Sequence, residues 1–190
     1  MKTDKRRFFI LAIGAVIGLA AAFLQTIEKL VLVENKDAPL PCNISDVFSC
    51  SAVLNAPQSS LFGFPNSLIC LIVFTTFLVV GVLGLSGSRL AKKALYVTQG
   101  LAVFMLLFAL WFLYTSTFVI GAICIFCLTC FVGLLLINGA LWRLNFSIPR
   151  VDGHFGEFLY IVTARNFDLV VWIALGVVLA AAIMLQFYIL

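Results

Sequence analysis

Gly121-Ala122-Ile123-Cys124-Ile125-Phe126-Cys127-Leu128-Thr129-Cys130-Phe131-Val132-Gly133-Leu134-Leu135-Leu136-Ile137-Asn138-Gly139-Ala140-Leu141-Trp142-Arg143 carries no charge before its last residue. About 20 apolar residues in a helix match the hydrocarbon thickness of a bilayer. Lipid cannot hydrogen-bond backbone groups, so such a run must be helical. The stretch reads as a membrane span with a C-x-x-C, Cys124 to Cys127, at one end. Four further stretches share its character, roughly 8–32, 66–86, 93–115 and 168–189. The chain is 64% hydrophobic and 11% charged, with mean hydropathy +1.19. Lipid is therefore its solvent. We expect an all-α integral membrane protein, residues 1–190 forming one membrane domain.

Orientation follows from the cations. Lys2, Lys5, Arg6 and Arg7 precede the first span; Arg89, Lys92 and Lys93 join the second to the third; Arg143, Arg150 and Arg165 lie in or beside the segment between the fourth and fifth. Only Lys29 and Lys36 fall on the other side, among acidic residues. The N-terminus is thus expected in the cytoplasm, and the 34–65 loop, the turn near 116–121 and the C-terminus outside. The net charge of +4 reports this topology, and nothing points to a nucleic-acid partner. Met1–Arg7, the following apolar run and Ala20-Ala21-Ala22 also fit a signal peptide. The run from Phe8 to Leu24 is long for one, and a retained anchor is the favoured reading.

The 34–65 loop is the one substantial exterior element. Ser45-Asp46 is expected to cap a short helix holding Phe48, Cys50, Val53 and Leu54. Pro65 suits the first turn of the second span. On the inner side, Phe155, Phe158, Leu159 and Tyr160 fit a segment lying flat on the interface. The last span is expected to be a packing helix.

Cys42 and Cys50 lie in the exterior loop, and Cys124 and Cys127 at the exterior end of the fourth span. Disulfides persist on that side of a membrane, and thiol pairs in series pass two electrons by exchange. At i and i+3, Cys124 and Cys127 share a helix face, and a helix N-terminus favours a thiolate. The pattern points to a redox relay. Plain packing of small apolar side chains competes for Cys124 and Cys127, and a structural staple competes for Cys42 and Cys50. A four-cysteine zinc site is disfavoured, since exterior cysteines are more often oxidised and the only histidine, His154, is inside. Leu128 after Cys127 excludes a c-type haem attachment. Cys70 and Cys130 fit a cavity wall, although plain packing is preferred for both. Asn66 fits a helix cap and an inward-pointing ligand donor equally well. Asn43-Ile44-Ser45 is a glycosylation sequon that matters only in a eukaryotic secretory pathway.

Together, Cys42-x₇-Cys50-Ser51, Phe64-Pro65-Asn66-Ser67 and Cys124-x-x-Cys127-Leu128-Thr129 resemble the vitamin K epoxide reductase family of membrane thiol oxidoreductases. The likeness covers roughly residues 8–145. Motif order separates it from the DsbB type, whose C-x-x-C lies between its first two spans. The resemblance implies a four-helix bundle around a quinone of the ubiquinone or menaquinone type, capped by 34–65, with a fifth peripheral helix. By position, Cys42 would exchange with a partner thiol, Cys50 would link Cys42 to Cys124, and Cys127 would lie nearest the quinone ring. Asn66 matches the family asparagine that hydrogen-bonds a quinone carbonyl. Phe131 stands where vertebrate enzymes have a tyrosine, so no hydroxyl reaches the second carbonyl. Ala56 stands where a cap serine is expected, with Ser59 and Ser60 nearby.

These departures weigh against epoxide chemistry more than against thiol oxidation. The implied function is oxidation of a periplasmic DsbA-like or thioredoxin-like protein at a bacterial inner membrane, with quinone as acceptor. Two alternatives are reduction of vitamin K epoxide or quinone, and a non-catalytic membrane protein with structural disulfides.

Overall fold

A computed structural model describes residues 2–45, 47–146, 161–163 and 165–188. Helix α1 spans Lys2–Glu34, α2 Cys50–Asn55, α3 Asn66–Leu85, α4 Lys92–Thr115, α5 Ile125–Phe146 and α6 Phe167–Tyr188. Five of these, all but the short α2, are long and apolar enough to cross a membrane. No strand is found among the described residues, only one isolated bridge between Phe48 and Ile123. The flat segment expected at Phe155, Phe158, Leu159 and Tyr160 lies outside the described residues, as do Asp46, Arg150 and His154.

Helix α1 is the centre of the bundle and packs on both α3 and α5; α4 packs on the far side of α5. Small residues let α1 and α5 approach. A Cβ on Gly133 would lie 2.8 Å from the Gly14 carbonyl oxygen, and one on Gly14 would lie 2.9 Å from that of Gly133. Without water to drive association, membrane helices depend on such close packing and on interhelical hydrogen bonds. Asn138, fully buried in α5, supplies the latter. Its Nδ2 donates to the Ala102 carbonyl at 3.1 Å and its Oδ1 accepts from Gln99 Nε2 at 3.2 Å, joining α5 to α4.

Helix α6 sits at the periphery, against α5 and the 116–120 turn. Asp168, 3% exposed, receives two hydrogen bonds from Arg143, Nε to Oδ2 at 2.6 Å and Nη2 to Oδ1 at 3.0 Å. Arg7 Nη1 donates to the Arg143 carbonyl at 3.0 Å. The start of α1, the end of α5 and the start of α6 therefore share one face of the bundle.

The opposite face carries the cap. At about 1.5 Å per residue, α1 is about 50 Å long, well over a hydrocarbon core of about 30 Å. Its last turns support the segment that follows through Lys29. Two expectations change here. Helix α2 is capped by Ser49, whose side chain accepts from the Ala52 N–H at 3.4 Å, while Ser45 instead accepts from Phe48 N–H at 3.1 Å. Phe48 is drawn out of the helix by its pairing with Ile123. For the same reason α5 begins at Ile125, later than the hydrophobic run: residues 122–124 are extended to meet the cap.

Candidate functional site: a dithiol beneath a disulfide-bearing cap

The cap is closed by a Cys42–Cys50 disulfide with a Cα separation of 5.8 Å, and both residues are buried. Asn43 secures it to α2: Asn43 Nδ2 donates to Ser51 Oγ at 2.9 Å, and the Ser51 N–H returns a bond to Asn43 Oδ1 at 3.1 Å. Lys29 of α1 donates to the Leu54 carbonyl at the end of α2 and to Ser59 Oγ. Ser59 also donates to Leu54 O at 2.6 Å. A serine three residues beyond Ala56 thus ties the cap to α1.

The α4–α5 connection meets the cap directly. A π turn, Ser116–Ile120, ends at Gly121, whose φ of 76° is a left-handed conformation that glycine adopts without steric cost. The chain then rises, and Ile123 N–H donates to the Val47 carbonyl at 2.8 Å. The next residue is Cys124. The cap disulfide and the C-x-x-C accordingly share one end of the bundle, as their positions in the sequence require.

Cys124 is the last residue before α5. Its carbonyl accepts from the N–H groups of Cys127 at 3.1 Å and Leu128 at 3.2 Å, closing the first turn. Unpaired N–H groups at a helix start favour a thiolate at such a position. Cys124 and Cys127 are both free thiols and both buried.

Below this pair, α3 and α4 face each other across a cavity of about 50 Å³ rather than packing closely. Its lining includes Cys127, Gln25, Asn66 and Ser59 towards the cap and Phe74, Met105, Phe108 and Phe112 further in. Gln25 Nε2 donates to Cys127 Sγ at 3.5 Å. Cys70 and Cys130 belong to the wall, where plain packing had been preferred. Cys127, Cys130 and Leu134 fall at i, i+3 and i+7, one stripe of α5.

Asn66 does not cap α3; the N-cap is Pro65, without a side-chain bond. Its Oδ1 accepts from Leu61 N–H at 3.2 Å and its Nδ2 donates to Gln58 O at 2.7 Å, holding the 57–61 turn over the cavity. Phe131 is buried but is not part of the cavity lining. Glu28 and Gln25 escaped the sequence reading. Polar residues within a long apolar helix face the bundle interior, and their i, i+3 spacing on α1 was the available signal. Glu28 and the sulfurs of Cys42 and Cys50 lie within 4.8 Å of one another. Because those sulfurs are bonded to each other, they offer no thiolates to a metal.

A helical membrane bundle with a loop disulfide above an intramembrane dithiol defines the class: a membrane thiol–disulfide oxidoreductase. The chain belongs to the vitamin K epoxide reductase family, whose model matches residues 9–140. The match takes in both cysteine pairs and the cavity and leaves α6 outside. No curated protein and no solved structure matches the chain.

Proposed function

We propose that the chain is a disulfide-generating enzyme of a bacterial inner membrane, one domain with the cap on the exterior side. A thioredoxin-fold protein gives its electrons to Cys42–Cys50, which passes them to Cys124–Cys127 and on to a quinone of the ubiquinone or menaquinone type. The observation that carries this reading is the Ile123–Val47 hydrogen bond, which fastens the disulfide-bearing cap beside the dithiol and above the cavity.

The residues fit a quinone in their chemistry. Aromatic and aliphatic side chains form the inner walls, and amides stand at the rim. Asn66 Nδ2 carries two hydrogens and spends one on Gln58, leaving one for a carbonyl. At about 50 Å³ the space is below the roughly 300 Å³ of ordinary ligand pockets, so admission requires α3 and α4 to part. A quinone held there supplies an acceptor for two electrons and two protons. The protein's part is to keep Cys127 in a dry site, bond its sulfur to Gln25, and set Cys124 at the start of α5, where helix N–H groups favour a thiolate. A strongly oxidising DsbA-type couple lies near about −120 mV, so a stronger acceptor is needed to re-oxidise it.

The test is quinone reduction by purified protein in lipid. Cys124→Ala and Cys127→Ala should each abolish it with any thiol donor; full turnover in either refutes the assignment. Vitamin K epoxide offered as sole acceptor should be reduced poorly or not at all.

A further inference from the structure

Glu28 is a carboxyl buried to 8% exposure, with Oε2 2.7 Å from Cys42 Sγ. Among the described residues the ion pairs are Arg7–Asp4 and Arg143–Asp168, so no cation holds Glu28. Neighbouring Lys29 is turned to Leu54 and Ser59 instead. A disulfide sulfur has no hydrogen to give. While Cys42 is bonded to Cys50, the hydrogen in this contact must therefore sit on the carboxyl.

We propose that Glu28 is the catalytic acid and base for Cys42, supplying and reclaiming its proton during exchange with the partner. This rests on the relay proposed above. A partner thiolate attacks Cys42 Sγ; the Cys42–Cys50 bond breaks, a partner–Cys42 disulfide forms, and Cys50 leaves as thiolate. Cys50 attacks Cys124 of the oxidised inner pair, forming Cys50–Cys124 and leaving the electron pair on Cys127. The partner's second thiolate then attacks its own sulfur in the mixed disulfide. The partner is released oxidised, and Cys42 departs with the bonding electrons and takes the proton from Glu28. To close the cycle, the Glu28 carboxylate takes that proton back and the Cys42 thiolate attacks Cys50. Cys42–Cys50 re-forms, and Cys124 leaves as thiolate. Two electrons have moved from the partner to Cys124 and Cys127, and Glu28 is protonated as before.

The test uses full-length protein in lipid with reduced thioredoxin as donor, quenched at intervals to follow the mixed disulfide. General acid–base assistance contributes about 10²-fold or more, so Glu28→Gln should slow resolution of the thioredoxin–Cys42 species about a hundredfold and make it accumulate. Glu28→Asp, which keeps the acid, should resolve it at least tenfold faster than Glu28→Gln. Resolution in Glu28→Gln within threefold of the unaltered protein, or slow turnover without accumulation, overturns the proposal. Normal resolution in the unaltered protein with no quinone reduced would sink the relay reading and leave the role of Glu28 standing.

Discussion

Cys124 stands where an extended segment becomes a helix, and its chemistry comes from that place. Cys42 and Cys50 serve the protein donor, and their replacement by alanine should block thioredoxin-driven turnover while DTT still reaches Cys124–Cys127. Equal loss with both donors would contradict that division of labour. That both cysteine pairs lie at one end of the bundle was legible from spacing and topology. Glu28 was not, because a charge at the end of an apolar run reads as solvent-facing until the cap folds over it. Asn66 was half legible: its place at the mouth of α3 was evident, but its bonds to Gln58 and Leu61 depend on a turn that sequence alone does not shape.

At the scale of helices, α1 and α5 meet through glycine. A side chain at Gly133 has no space against the Gly14 carbonyl, and overpacking of this kind costs about 1–3 kcal/mol. Gly133→Val should lower the thermal midpoint in detergent by several degrees; an unchanged midpoint would show that the helices part freely. Replacing Asn138 with leucine removes the bonds to Ala102 and Gln99. Interhelical hydrogen bonds average about 0.6 kcal/mol, so the loss should be smaller than at Gly133. The spans were readable to within a few residues, since lipid thickness dictates them. The start of α5 was misplaced because hydropathy does not distinguish a helix turn from an extended segment of the same apolar residues. The pairing that draws residues 122–124 out is tertiary, and so is the one that moves the cap of α2 to Ser49.

Across the whole molecule, a deep-set dithiol lies beneath a cap that carries a buried disulfide and is fixed at both ends. Lys29 and Ser59 hold it to α1 and α2, and Ile123 holds it to the α4–α5 turn. Family membership covers this assembly and stops before α6, which the Arg143–Asp168 pair fastens to α5. The central claim is that electrons cross between the two pairs through Cys50 and Cys124. A Cys42→Ala, Cys127→Ala double variant leaves each of those sulfurs without its own partner. Mild oxidation followed by peptide mapping should yield a Cys50–Cys124 disulfide in most molecules. Cys50 and Cys124 recovered as separate thiols, with the fold intact, would contradict the relay.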